Sequence, residues 1–198
     1  MTQTSAKNVV RINENKQLLV ESPHTKSQVV GRSNLDANNR QAWYEFGADL
    51  EYQFVDLLSR QGIPAEINPQ KHGNKYAPDI FVHGVMSDLK TQQNPFFTAG
   101  KKLCDPSWTV TFNRKDYVRY KNNYPYLNIY FWVAWEEQER FGVQVSERTG
   151  VWLISFRQLR SAIEHGLPEH FYETRKSPDD RNAKSSFLLD LRYMRKIL

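Results

Sequence analysis

From residue 1 to about residue 39 hydrophobic and polar positions follow no sustained period, and Ser, Thr, Asn, Gln and Lys are scattered throughout. That stretch reads as a polar N-terminal arm, disordered or partner-binding, with one short strand over 28–30. The pattern then changes. Trp43, Phe46, Leu50, Phe54 and Leu57 recur every three or four residues, the spacing of one helix face, and predict a helix over 41–60 that Gly62 stops. Apolar runs over 79–83, 86–92 and 108–112 predict strands, the first two joined through His83 and Gly84. Asn113 can cap a helix over 114–122, which ends before Pro125. Strand-like runs at 126–135, 141–145 and 151–156 lead into a helix over 157–165, closed by Gly166 and Pro168. Residues 178–184 read as a loop, and 187–197 as an amphipathic segment of undecided type. This order predicts an α/β domain over 40–198, with a mixed central β-sheet flanked by helices.

Composition narrows the picture. At 198 residues, 39% hydrophobic and 13% aromatic, the chain suits one packed core and is not disordered overall. A formal charge of +5 and a pI near 9.2 lean towards polyanionic partners. Cys104 is the single cysteine, which excludes an intramolecular disulfide, and a reducing cytoplasm fits. Near the N-terminus the longest apolar run covers only Leu18, Leu19 and Val20, so neither a signal peptide nor a membrane span is expected there.

Chemistry concentrates between Pro78 and Gln92. If the two apolar runs form a hairpin centred on His83 and Gly84, Val82 faces Val85, Phe81 faces Met86, Ile80 faces Ser87, and Asp79 faces Asp88. Opposed residues share a face with β-carbons about 4.5–5.5 Å apart, so the carboxylates converge; Lys90 and Gln92 follow on that face by the period of two. Two such carboxylates repel unless a cation lies between them, and hard oxygen ligands suit magnesium. A metal ion there can polarise a phosphodiester and acidify a water, while the ammonium of Lys90 holds that water and stabilises developing negative charge. Two acids and a lysine are a minimal apparatus for phosphodiester hydrolysis.

Pro78, Asp79, Asp88, Leu89 and Lys90 resemble the motif of the PD-(D/E)XK nuclease superfamily, which includes restriction endonucleases and Holliday-junction resolvases. The resemblance covers roughly residues 40–135. Family members carry a glutamate on the preceding helix, often four residues after a glycine; here Gly47 precedes Glu51, at the border of the apolar stripe. The resemblance implies a restriction-endonuclease-like fold and Mg2+-dependent cleavage of DNA, with Mn2+ able to substitute. It also implies a metal held by Asp79, Asp88 and the backbone carbonyl of Leu89, catalysis by Glu51, Asp79, Asp88 and Lys90, and Gln92 as an auxiliary residue.

Lys71 and Lys75 before the motif, Lys101 and Lys102 after it, and Arg114, Lys115, Arg119 and Lys121 on the helix predicted over 114–122 are candidates for phosphate contacts. The run Tyr130, Phe131, Trp132 and Trp135 reads as a core strand rather than a base-stacking platform. Without a separate recognition domain, specificity falls to loops, the N-terminal arm or a homodimer. Two other readings stand beside a general endonuclease: a resolvase of Holliday junctions or branched DNA, and a catalytically inactive nucleic-acid-binding module of the same fold.

Overall fold

The computed structural model describes residues 9–12, 18–21, 40–172 and 184–198, with side chains over 47–172 and 184–198. Within the segment read as a polar arm, β1 (Val9–Ile12) and β2 (Leu18–Glu21) pair as an antiparallel hairpin. Strands of four residues are too short to show a period, which is why the sequence pattern passes over them. The strand expected over 28–30 lies outside the described residues.

Helix α1 (Arg40–Arg60) forms where the three-to-four spacing predicts it, and Leu50, Phe54, Leu57 and Leu58 are its buried stripe. Gly62 ends it at φ +74°, in the left-handed region, where the amide of Ile63 returns to the carbonyl of Leu58. Next come β3 (Ala65–Ile67), a 3-10 turn over Pro69–His72, β4 (Ile80–Val82) and β5 (Val85–Gln92). A second 3-10 turn (Phe97–Lys102) leads to β6 (Thr109–Asn113) and helix α2 (Arg114–Asn123). Asn113 stands at the cap position of α2 but makes no capping bond. Its Oδ1 accepts instead from Ser186 Oγ at 2.9 Å, a non-local partner that outcompetes the local one.

Then follow β7 (Asn128–Trp135), β8 (Gln138–Arg140), β9 (Val143–Val145), β10 (Arg148–Ser155) and helix α3 (Phe156–Glu164). Ser155 and Gln158 close a capping box at the start of α3. The chain ends through β11 (Glu169–Phe171), β12 (Ser185–Asp190), a turn over Leu191–Tyr193 and β13 (Arg195–Lys196). The undecided segment over 187–197 is thus mostly extended.

The central sheet has six strands in the order β13-β10-β7-β5-β4-β3; β5 and β7 run parallel and the other pairs antiparallel. It is the mixed sheet of an α/β fold. Strand β7 lies inside it and is covered on both faces, so seven of its eight residues are buried. Alternation divides them: Tyr130, Trp132 and Ala134 join the α1 stripe in one core, while Ile129, Phe131, Val133 and Trp135 join α2, α3 and the antiparallel sheet β11-β12-β6 in another. The aromatic run is core, as its sequence suggests. Burying Phe54 or Trp132 fully contributes about 2–3 kcal/mol each. The site lies where β4 stops and β5 continues between the two cores.

Candidate functional site

The hairpin of β4 and β5 turns on two residues, His83 at φ +50° and Gly84 at φ +72°, the left-handed pair that matches strand twist in tight hairpins. His83 adopts a conformation uncommon for a side-chain-bearing residue, and its amide is held by the carbonyl of Pro64 at 2.8 Å. The register pairs Val82 with Val85, Phe81 with Met86 and Ile80 with Ser87. Beyond Ser87, β5 pairs with β7 on its other side. The amide of Leu89 therefore faces the end of β4 with no strand partner, and Asp79 Oδ2 accepts from it at 2.9 Å. In a strand the N–H and C=O of one residue leave on the same side, so the carbonyl of Leu89 also faces Asp79.

Asn68, fully buried, holds this end of the hairpin. Its Nδ2 donates to the carbonyl of Pro78 at 2.8 Å, and its amide to the carbonyl of Asp79 at 3.0 Å. Its Oδ1 accepts from the amide of Gln70, capping the turn that carries Lys71. One residue thus positions both Asp79 and Lys71. The ammonium of Lys71 lies between two acids, bonded to Asp79 Oδ1 at 2.6 Å and to Glu51 Oε1 of α1.

On β5, Leu89 enters the α1 core while Asp88 and Lys90 face α2. Helix α2 meets them with Asp116 and Tyr120, four residues apart on its inner face and both buried. Lys90 Nζ lies 2.7 Å from Asp88 and 2.8 Å from Asp116. Tyr120 donates its hydroxyl hydrogen to Asp88 Oδ1, and Arg119 reaches Asp116 at 2.9 Å and the Tyr120 oxygen at 2.6 Å.

Burial and the charge of Asp79 push the Glu51 carboxyl up to about 7, against the pull of Lys71. Burial pushes Asp88 up to about 7 as well; Lys90 opposes this, while Asp79 and Asp116 add to it. Desolvation raises Asp79 as well, yet Lys90 and Lys71 hold it below the usual carboxylate range. Burial disfavours the charge on Lys90, but Asp116 and Asp88 hold the ammonium well above its usual value, so it stays charged.

Glu51, Asp79, Asp88 and Asp116 supply four carboxylates to three cations, Lys71, Lys90 and Arg119. With all four ionised, one negative charge is in surplus. Asp88 Oδ2 is buried with no partner in hydrogen-bond geometry, since Lys90 Nζ approaches it closely but off angle. Surplus charge and hard oxygen donors fit a small divalent cation. Lys71 occupies the place between Glu51 and Asp79, and as these side chains stand, no group of three or more His, Cys, Asp or Glu among the described residues is gathered to hold a metal.

Every residue singled out in the motif lies at or beside this cluster. Gln92 shares the face of Lys90 but is engaged in joining strands: its Oε1 accepts from the amide of Thr111 at 3.1 Å, and its Nε2 donates to the carbonyls of Asn94 and Thr109. The basic candidates separate. Lys71 and Arg119 turn into the acidic network. Arg114 and Lys121 meet Glu169 and Glu164 at 2.7 and 3.4 Å. Lys75, Lys101, Lys102 and Lys115 are exposed. Sequence reasoning passed over Asn68 and Asp116. It read Tyr120 with Tyr117 and Tyr124 as part of a phosphate-binding surface or as packed beneath it, not as a partner of Asp88. Asp116 and Tyr120 are the pair it left unjoined. The signal for the last two was present, since an acid and a tyrosine four residues apart share one helix face, but the basic residues around them drew the reading outward.

No protein-family model matches this chain, and no match is found among curated proteins or solved structures. Among the described residues, no helix is long and apolar enough to cross a membrane.

Proposed function

We propose that this chain is a Mg2+-dependent DNA endonuclease built on a restriction-endonuclease-like variant of the mixed α/β sheet. The observation that carries the reading is the bond from the Leu89 amide to Asp79. It draws Asp79 beside the strand bearing Asp88 and Lys90, with Glu51 one lysine away. Asp79, Asp88 and the Leu89 carbonyl would hold the metal, and Glu51 would join them once Lys71 withdraws. Magnesium, when bound, would polarise the scissile phosphodiester and lower the pKa of a water, and manganese would substitute. Lys90 keeps its charge inside the fold and would stabilise the negative charge that develops during attack. Cys104 would stay reduced in a cytoplasmic setting, and cutting both strands of a duplex would take two copies of the chain.

A second reading has an observation of its own. Each carboxylate of the cluster already contacts a cation or a hydrogen-bond donor, as it would in an inactive nucleic-acid-binding module. Incubating the purified chain with labelled duplex, single-stranded, nicked and four-way-junction DNA decides between them. Cleavage in magnesium or manganese that EDTA abolishes is the expected result, and preference for the junction would mark a resolvase. Undiminished cleavage in EDTA would remove the metal from the mechanism. No cleavage of any DNA form with either metal would leave the binding module.

A further inference from the structure

A cleft of about 400 Å³ opens beside Lys90, within the roughly 300–1,000 Å³ typical of ligand sites. Lys90, Asn94, Phe96, Thr111, Asn113 and Tyr172 are among its lining residues, so it mixes aromatic rings with amide and hydroxyl groups. The rings form a row: Phe96 meets His170 edge to face at 4.9 Å, and His170 meets Tyr172 likewise at 5.0 Å. Asn113 has its Oδ1 engaged by Ser186, which turns the NH2 end of the amide away from that serine, and Asn94 is exposed. Directly after Phe96, the turn Phe97–Lys102 carries the exposed Lys101 and Lys102.

We propose that this cleft receives the base of an unpaired nucleotide, so that the substrate is DNA with a single-stranded segment next to the cut. The inference rests on the nuclease reading for the word substrate, though not for the binding itself. Aromatic rings bind bases by stacking, amides bind base edges, and cationic side chains track the backbone of a single strand. A base inside a duplex is stacked and paired, and reaches a cleft walled by side chains only by leaving the stack. Lys90 belongs both to this cleft and to the acidic cluster, which places a base held here one residue from the reacting groups.

The test reads binding without cutting, with calcium in place of magnesium, by fluorescence anisotropy of the full chain. The probes are labelled oligothymidine, the same strand with abasic sites, and a blunt duplex of equal length. Oligothymidine should bind most tightly, and its abasic counterpart roughly tenfold more weakly, the loss that one stacked base implies. Phe96→Leu keeps apolar volume but removes the ring, and should weaken oligothymidine binding by a similar factor without affecting the abasic strand. Asn94→Ala, at an exposed side chain, should weaken binding less. Phe141→Ala, at an exposed ring in the β8–β9 turn, should change nothing. Equal affinity for the base-bearing and abasic strands, or unchanged binding by Phe96→Leu, overturns the inference even if magnesium supports cleavage. Base-dependent binding without cleavage of any DNA form upholds the cleft while the nuclease reading fails.

Discussion

Around Asp88, each partner comes from a rigid element: Lys90 from the middle of β5, and Asp116, Arg119 and Tyr120 from one face of α2. Around Asp79, the cation comes from a four-residue 3-10 turn, and the second acid from the rim of the apolar stripe of α1. The Asp88 half is buried and interlocked. In the Asp79 half, by contrast, the side chains of Asp79 and Glu51 are 16% and 14% exposed, against 3% for Asp88. Removing one member of a buried, mutually bonded set leaves the others desolvated without compensation. A lysine carried on a four-residue turn rather than inside a sheet can yield its place between two acids to another cation. The difference suggests a division of labour, in which the Asp88 half fixes the geometry and the Asp79 half exchanges its cation.

The sharpest break of that comparison is in rate. Asp79→Asn, Asp88→Asn and Lys90→Met should each reduce magnesium-supported cleavage about 100- to 1,000-fold, measured on whichever DNA form the wild type cuts, with circular dichroism confirming the fold. Wild-type rates in all three would place the chemistry elsewhere. The next effect is in stability. Asp116→Asn should cost about 1–3 kcal/mol, roughly 2–4 °C of melting temperature per kcal/mol in a chain of this size, with or without metal. Lys71→Met should lower the melting temperature less in EDTA, and magnesium or calcium should raise it further than in the wild type. If the two variants respond to metal identically, the halves are not distinct.

The hairpin register was legible because a side-chain period of two, counted outward from His83 and Gly84, needs only local information. Helix α1 was legible for the same reason, with its own period. Lys71 was not, because its place depends on Asn68 binding the carbonyls of Pro78 and Asp79, a contact between segments ten residues apart that no periodicity records. Strands β3, β8, β11 and β13 have two or three residues each, too few for a pattern. The polar network of α2 was hidden by composition: a helix rich in Arg and Lys reads as a solvated face, although buried Asp116 draws Lys90 and Arg119 inward.

The smallest expected effect is on pH dependence. Glu51 and Asp88 have folded-state values near 7, above their ordinary values of 4.5 and 3.8. Between about pH 5 and 7 the folded metal-free chain therefore holds more protons than the unfolded one, and its stability falls as pH rises. Asp79 has the opposite sign, but its contribution is lost only as pH falls below its usual value. A decline across that window should appear in thermal melts in EDTA, and Glu51→Gln should make it shallower, leaving the part that Asp88 contributes. A flat profile in the wild type would mean that the surplus charge is neutralised by other means.

The two-residue turn at His83 and Gly84 also sets a parity rule for the history of this chain. Inserting or deleting a single residue on the β5 side of that turn, with β5 keeping its strand pairing, would exchange Leu89 for Asp88 and Lys90 between the two faces. Two charges would then enter the α1 core, and a leucine would stand before Tyr120. Length change by ones is thus closed to this hairpin, while the surface loops remain free to drift. Descendants that keep the chemistry should keep this spacing long after the rest of their sequence has diverged.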